Sequence, residues 1–321
     1  MSVRVARRVA SVLPHENSGG AIATAYNQSG DAYIAYADGD PRQLFAFDGQ
    51  YAYGDRRIWA VLDAKLCALR ATGAQSVCIL DLGCGPGTWL RRIVTRARTL
   101  GFTAIAARGF DIADGQVKRA RELAANLSDL SGISLSFEIA DICAPFREAD
   151  GSVDLCLCLC GVLNHLPAAA LATVFGEVAR VTRGYFVTSV RAVGSTPTVY
   201  VDAIERARCF QQDNRSNWLD VEFQNGRRVS LRSHLYSAAE LRSLVGAHLD
   251  IEDLSGLDLF HGRFAGDPRW NPLEVRVNEK LAGLLDRLEA DYARNSEFID
   301  HATHLLLVAR CKRKAASSEP S

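Results

Sequence analysis

The sequence predicts an α/β protein in which a mostly parallel β-sheet carries helices on both faces. Between about residues 76 and 191, short apolar runs alternate five times with helical patterns, as expected for a parallel sheet flanked by helices. A glycine-rich turn joins the first of these runs to the first helical pattern. Near the C-terminus, a long amphipathic pattern precedes a final apolar run, which predicts one strand added antiparallel at an edge of the sheet.

The individual elements are predicted from hydrophobic spacing. The apolar runs that predict strands lie at residues 76–82, 102–111, 134–140, 153–160, 184–190, 229–236, 249–257 and 304–311. Apolar residues recur at helical spacing over residues 89–100, 117–127, 168–182 and 277–292. Ser237, with Glu240 three residues later, forms a capping box and predicts the start of a further helix.

The same patterns divide the chain into five segments. Residues 1–54 crowd aromatic side chains among Gly, Asp and Pro, which predicts a lid or a pocket wall. Residues 55–191 are the predicted core, and residues 192–228 are polar without a clean period, which predicts an insertion on the substrate side. Residues 229–312 return to the pattern of the core sheet, and the polar tail at residues 313–321 is predicted to be disordered.

Composition limits the compartment and the partners. Lys+Arg and Asp+Glu each number 37, and this balance argues against nucleic acid as the main partner. No run approaches the roughly 18 apolar residues of a membrane-spanning helix, and the N-terminus lacks the apolar stretch of a secretory signal. Nine cysteines, an odd number partly within apolar runs, indicate a reducing compartment. We therefore expect a cytoplasmic protein without a membrane partner, and the oligomeric state stays open.

The strongest local signal is the run Asp81-Leu82-Gly83-Cys84-Gly85-Pro86-Gly87, between the first strand and the first helix. Glycines permit a tight turn and let the backbone approach a ligand, with a helix N-terminus behind it. At the first strand of a βαβ series, this turn indicates a nucleotide-like ligand. Dinucleotide sites usually have the pattern GxGxxG, whereas here the third glycine comes one place early and an acid precedes the run.

In this run the sequence resembles the class I S-adenosylmethionine-dependent methyltransferases, whose first motif has the form (D/E)xGxGxG. The resemblance covers residues 55–191 well and extends more loosely to the C-terminus. It implies a Rossmann-like, seven-stranded, mostly parallel sheet with helices on both faces and one antiparallel edge strand. It also implies S-adenosyl-L-methionine as the cofactor.

Further matches occur at the ends of the second, third and fourth strands, and by resemblance they imply a cofactor site. Asp111 would bind the two ribose hydroxyls, Asp141 the adenine amino group, and Asp81 with the Gly83 backbone the amino group of the methionine portion. The implied cofactor residues are Asp81, Gly83, Cys84, Gly85, Gly87, Asp111, Ile112, Asp141, Ile142 and Cys160. Asp111 follows Asp81 by 30 residues instead of the usual 20 or so, which predicts a longer first helix and connection. The alternative is that Asp111 is only an acid at a strand end.

Three residues are candidates for the chemistry. His165 follows the fourth strand, near where the methyl group would point, although histidine in such a loop often braces the backbone instead. Asn164 is an alternative group facing the pocket, and Arg191 ends the fifth strand, where it could hold a substrate carboxylate or form an ordinary ion pair. The cysteines of the CLCLC run, residues 156–160, lack CxxC spacing, so we expect core packing and no metal site.

The predicted function is methyl transfer from S-adenosylmethionine to a nitrogen or oxygen nucleophile of a small metabolite. Base amino-methylation is disfavoured, because Gly161-Val162-Leu163-Asn164 stands where that branch of the family carries (N/D/S)PP(Y/F/W). Two alternatives remain open from the sequence. One is an NAD-dependent oxidoreductase, and the other is a catalytically inactive module that binds S-adenosylmethionine.

Overall fold

A computed structural model of the chain describes residues 19–28, 43–47, 51–195, 207–264 and 279–312. Residues 19–28 are helical and are called α1. The other helices of the described residues are α2 (Ala52–Ala71), α3 (Thr88–Thr99), α4 (Asp114–Ser128), α5 (Ala168–Val181), α6 (Ala238–Gly246), α7 (His261–Phe264) and α8 (Glu279–Tyr292). Single 3₁₀ turns lie at Val162–His165 and Ile299–His301.

The strands form two separate sheets. They are β1 (Ser76–Leu82), β2 (Ala104–Asp111), β3 (Ile133–Ile139), β4 (Val153–Cys158), β5 (Thr182–Arg191), β6 (Ala207–Asp213), β7 (Trp218–Phe223), β8 (Arg228–Arg232), β9 (Leu249–Leu257) and β10 (His304–Cys311). The large sheet has seven strands in the order β3-β2-β1-β4-β5-β10-β9, and β6-β7-β8 form a small antiparallel sheet.

The large sheet confirms the predicted fold class. Strands β1 to β5 are mutually parallel, and β10 is antiparallel to both β5 and β9. The one reversed strand therefore lies second from the edge, and β9 runs parallel to the first five strands. Because the chain crosses from β3 back to β4 on the other side of β1, the carboxyl ends of β1 and β4 flank a topological switch point.

Helices cover both faces of the large sheet, which explains why its central strands are almost continuously apolar. All six residues of β4 are buried, and its side chains alternate between two hydrophobic clusters. Cys156 and Cys158 pack toward α5 and α6, whereas Leu155 and Leu157 pack toward α2, α3 and α4. These two cysteines therefore serve as small core residues, with burial raising the pKa of both thiols.

The small sheet differs from the sequence prediction. Residues 229–236 were expected to form a strand of the core sheet, but Arg228–Arg232 pairs with β7 in the small sheet instead. The segment expected to lack periodicity also contains β6 and β7. The small sheet buries one face only, so Leu219, Val221 and Phe223 alternate with polar residues and leave a weak apolar signal.

The buried face of the small sheet packs against α1. Ile22 and Ala25 of α1 join a cluster with Leu219, Val221 and Leu231. Of the lid expected at residues 1–54, the structure describes α1, residues 43–47 and residues 51–54. The tail at residues 313–321 lies outside the described residues. No helix of the described ranges is both long and apolar enough to cross a bilayer.

Candidate active site

A cavity of about 310 Å³ opens at the carboxyl ends of β1, β2, β3 and β4, at the switch point of the large sheet. Its walls are the segments that follow these strands, together with one side of α1. The predicted cofactor residues in its wall are Gly83, Gly85, Asp111, Ile112, Asp141, Ile142 and Cys160. Predicted cofactor residues up to 77 positions apart in the chain therefore meet at one cavity, since Gly83 and Cys160 both line it.

The last two glycines of the turn after β1 have different surroundings. Gly85 has a φ of +51°, and a Cβ atom added there would meet no atom within 4 Å. Gly87 has a φ of +76°, and a Cβ there would lie 2.7 Å from the Phe137 ring. Gly85 therefore leaves space on the cavity side, whereas Gly87 lets α3 begin in close contact with β3. Gly87 is not among the residues that line the cavity.

Asp111 ends β2 directly beside this turn. One carboxylate oxygen accepts the backbone N–H of Gly85 at 2.9 Å, and the other accepts the N–H of Ala113 at 2.9 Å. The 30 residues from Asp81 to Asp111 include the twelve residues of α3 and its connection to β2. Despite this long spacing, Asp111 lies beside the turn. A strand-end acid held at the cavity by two backbone N–H groups is oriented for ligand binding.

Asp81 is buried at the end of β1, with only 2% of its surface exposed. Burial raises the pKa of Asp81 to about 7, and repulsion from Asp111 adds to the increase. Burial also raises the pKa of Asp111, although its hydrogen bonds from Ala113 and Gly85 oppose this. Two neighbouring buried carboxyl groups favour a cationic or hydroxyl-rich ligand, because either would stabilise the charged forms.

The segment after β3 supplies another wall of the cavity. Asp141 is exposed, and its carboxylate accepts the backbone N–H of Cys143 at 2.9 Å, which fixes the turn after the strand. Ile142 is 7% exposed and contributes an apolar surface. Asp141 and Ile142 thus present an acceptor oxygen next to an apolar patch, a combination suited to a heterocyclic base.

Two more of the predicted cofactor residues, Cys84 and Asp81, do not line the cavity, and Cys160 lies at a turn with a left-handed φ. The Cys84 side chain is buried and packs against Gly109 of β2, where an added Cβ would lie 2.8 Å from the Cys84 Cβ. Asp81 does not line the cavity either, whereas Gly83 and Gly85 of the turn that follows it do. Cys160 lines the cavity with a left-handed φ of +57°, and its backbone N–H donates to the Ser189 hydroxyl at 2.8 Å.

His165 lies in the cavity wall, on the 3₁₀ turn after β4. Its Nδ1 is 2.6 Å from the backbone carbonyl oxygen of Arg232, and its Nε2 is 3.0 Å from the hydroxyl of Tyr26. Burial lowers the pKa of His165, and the charge of Arg191 lowers it further. The imidazole is therefore neutral at pH 7 and is held by groups from α1 and from the end of β8.

Asn164 and Arg191 do not line the cavity. The Asn164 side chain is 1% exposed, donates to the carbonyls of Arg191 and His234, and accepts the N–H of Arg191 at 3.0 Å. The Arg191 guanidinium donates to the hydroxyl of Ser195. The Asn164 contacts join the turn after β4 to the end of β5, which is a bracing role for Asn164.

Sequence reasoning expected a lid or pocket wall within residues 1–54 without naming the residues of α1 that line the cavity, and it missed α4. Gly19, Ile22 and Tyr26 of α1 line the cavity, as does Gln116 of α4. The Gln116 side-chain amide donates to the Tyr26 carbonyl at 3.1 Å. The crowding of aromatic residues at the N-terminus was the only signal, and it could not show that Tyr26 meets a residue 139 positions away. In the described part of the chain, no group of three or more His, Cys, Asp or Glu residues could hold a metal ion.

Comparison with known proteins matches residues 79–184 to the family described as "Methyltransferase domain". No curated protein matches the sequence. Among solved structures, the chain is similar to magnesium protoporphyrin IX methyltransferase from Synechocystis PCC 6803, solved with bound S-adenosylmethionine. That pair shares 14% identity over 93% of this chain and 99% of the other, with a TM-score of 0.50. At this identity the likeness concerns the fold.

Two further solved structures match this chain over a similar share of its length. The PH0226 protein from Pyrococcus horikoshii OT3 is 15% identical over 87% of this chain and 96% of its own, with a TM-score of 0.49. The CcbJ methyltransferase from Streptomyces caelestis is 15% identical over 87% of this chain and 98% of its own, with a TM-score of 0.49. The family match spans β1 to the start of β5, the segment that supplies most of the cavity wall. With the sheet order, that match gives this chain a methyltransferase domain on a Rossmann-like fold, and it argues against a nicotinamide-dependent oxidoreductase.

Proposed function

We propose that this enzyme methylates a nitrogen or oxygen atom of a small molecule, using the cavity at the switch point for both reactants. The observation that carries the proposal is the convergence of the glycine turn, Asp111, Asp141 and His165 on one cavity. The bound cofactor would supply a methyl group already activated on a sulfonium sulfur. The protein then needs to bind, to align the acceptor and to exclude water.

The residues present fit such a cofactor. The space in front of Gly85 is open to the methionine portion, and the Asp81 carboxyl, buried behind the glycine turn, would attract its ammonium group. Each Asp111 oxygen already accepts one backbone N–H and keeps a lone pair for a ribose hydroxyl. Asp141 and Ile142 would contact the adenine. Gly83 and Cys160 complete the cavity wall, whereas Cys84 and Gly87 would act through packing.

A small acceptor is supported by the closure of the cavity. Helix α1 lies across it, and the small sheet packs against α1. A volume of about 310 Å³, lined by described residues, is in the lower range of small-molecule sites. His165, neutral and in the wall, supports a nucleophile that carries a proton to be removed, such as a hydroxyl or an ammonium group.

Two measurements test this function. Isothermal titration with S-adenosylhomocysteine should give saturable one-site binding to the wild-type protein. Incubation with methyl-tritiated S-adenosylmethionine and the small-molecule fraction of a cell extract should then yield a labelled product. Absence of nucleoside binding would overturn the assignment of the site, and binding without any labelled product would overturn the transfer reaction.

A further inference from the structure

Tyr26 and His165 meet in the wall of the cavity although they lie 139 residues apart in the chain. Tyr26 projects from α1, and its ring meets the His165 ring edge to face, with centroids 5.7 Å apart and planes at 79°. Its hydroxyl oxygen is 3.0 Å from Nε2 of His165. Both residues line the cavity, so this hydrogen bond lies beside the space for the acceptor.

The contacts of His165 assign the direction of that hydrogen bond. The Arg232 carbonyl oxygen can only accept, so Nδ1, at 2.6 Å from it, carries the ring proton. Nε2 then has a lone pair, and the Tyr26 hydroxyl donates its proton to it. A phenolic oxygen that donates its proton can also accept a hydrogen bond, here from a bound acceptor.

We propose, resting on the function proposed above, that Tyr26 and His165 together receive the proton that the acceptor gives up on methylation. The X–H bond of the acceptor breaks as its nucleophilic electron pair forms the bond to the methyl carbon, and the carbon–sulfur pair returns to sulfur. The X–H proton passes to the Tyr26 oxygen while the Tyr26 proton passes to Nε2 of His165. His165 becomes an imidazolium whose Nδ1–H remains on the Arg232 carbonyl, and it releases one proton to solvent after product leaves.

A buried tyrosine that donates to the same turn from elsewhere in the chain provides the matched comparison. The Tyr236 hydroxyl donates to the carbonyl of Leu163 at 3.0 Å, so it also braces the turn that carries His165. Tyr236 is 1% exposed and does not line the cavity. If the Tyr26 hydroxyl only braced the turn, Tyr26→Phe and Tyr236→Phe would affect the reaction alike.

The first test needs no acceptor. In ¹⁵N NMR of protein labelled at histidine, we expect His165 at pH 7.5 to be the neutral Nδ1–H tautomer. Its Nε2 resonance should move in Tyr26→Phe and stay in place in Tyr236→Phe. A wild-type ring protonated on Nε2 would overturn the proposal, because Nε2 would then have no lone pair for the proton.

The second test compares Tyr26→Phe, His165→Gln and Tyr236→Phe in the tritium transfer assay, with S-adenosylhomocysteine titration beside it. We expect Tyr26→Phe and His165→Gln to lose about 10²–10⁴-fold in transfer rate, the usual contribution of general acid–base groups. The Tyr236→Phe rate should stay within about threefold of wild type, and nucleoside affinity in all three variants should change far less than the transfer rates. Wild-type transfer rates in Tyr26→Phe would overturn the proton path and leave the proposed function standing. A wild-type protein that binds no nucleoside, or binds it and labels nothing, would instead overturn the proposed function, and the proton path with it.

Discussion

The Asp111 carboxylate accepts the backbone N–H of Gly85 at 2.9 Å, so the acid at the end of β2 fixes the glycine turn that follows β1. One side chain thus orients the turn and stands ready for a ribose hydroxyl. We expect Asp111→Ala to weaken S-adenosylhomocysteine binding by about 1.5–3 kcal/mol, the range for hydrogen bonds to a charged group. Isothermal titration measures this, and Asp129→Ala, exposed at the end of α4, is the control. Wild-type affinity in Asp111→Ala would remove the residue from the site.

Replacing Gly85 and Gly87 separately should distinguish a binding defect from a packing defect. Gly85→Val places its side chain in the open space of the cavity, so we expect nucleoside binding to be lost while the fold persists. Gly87→Val drives its Cβ into the Phe137 ring, so we expect a much larger fall in melting temperature. Both substitutions share the strain of a positive φ, which makes them matched controls. Equal melting temperatures and equal affinities for the two variants would contradict these assignments.

Nucleoside affinity should increase with pH across the titration of Asp81. The pKa of Asp81 is about 7 in the folded protein, so below neutral pH this carboxyl is protonated and cannot pair with the cofactor ammonium. We expect S-adenosylhomocysteine to bind more tightly at pH 8 than at pH 6, with release of a proton. Titrations in buffers of different ionisation enthalpy measure that proton directly. An affinity that falls over this interval would show that Asp81 does not hold the ammonium.

Asp81→Asn should separate stability from binding. A folded pKa of about 7 against an ordinary value of 3.8 means that the folded protein retains a proton that the unfolded chain loses. The unfolding free energy therefore decreases as pH rises from about 4 to about 7, and it stays reduced above that window. At one pKa unit per 1.36 kcal/mol, removing this charge should stabilise the free protein at pH 8 by a few kcal/mol. Urea denaturation at pH 8 should show this gain while nucleoside binding is lost.

Asn27→Ala should accelerate release of the nucleoside. The Asn27 amide donates to the Asp114 carboxylate at 2.5 Å, and its oxygen accepts the N–H of Gly115 at 2.9 Å, so the end of α1 caps the start of α4. Loss of such a cap costs about 1 kcal/mol, which corresponds to roughly a fivefold faster dissociation if α1 must leave first. Stopped-flow measurement of S-adenosylhomocysteine dissociation tests this. Thr24→Ala on the exposed side of α1 is the control, and identical rates for both variants would show that α1 does not limit release.

Asn164→Ala should destabilise the fold more than it affects the site. Its amide satisfies buried backbone groups of Arg191 and His234, and leaving such a group unpaired costs about 1–3 kcal/mol. We expect a corresponding fall in the unfolding free energy by urea titration, with Asn126→Ala on the exposed side of α4 as reference. Unchanged stability combined with lost tritium transfer would instead make Asn164 a catalytic residue.

Most of the large sheet was predictable, because parallel strands buried on both faces leave unbroken apolar runs such as β1 and β4. Asp111 and Asp141 were singled out by the family resemblance, and they share one edge because the carboxyl ends of parallel strands do. Cys84 was included among the cofactor residues although its side chain packs against Gly109 of β2. Residue spacing does not show in which direction a side chain points within a tight turn. The small sheet escaped prediction because only alternate residues of β7 and β8 are buried.

The contact between Tyr26 and His165 was beyond sequence reasoning for another reason. It depends on how Ile22 and Ala25 pack α1 against the small sheet, and on the Arg232 carbonyl at the end of β8. Each of these contacts joins parts of the chain that local periodicity treats separately. Only the three-dimensional arrangement brings a helix, a turn and a strand end to one imidazole.

The double packing of α1 has a consequence for protein engineering. Ile22 and Tyr26 of this helix line the cavity, and the same two residues pack with the cluster of Leu219, Val221 and Leu231. A chimera that imports residues 207–232 from another enzyme without its N-terminal helix would pair two surfaces that were never shaped for each other. Swapping acceptor preference between such enzymes should therefore succeed when both segments are exchanged as a single cassette.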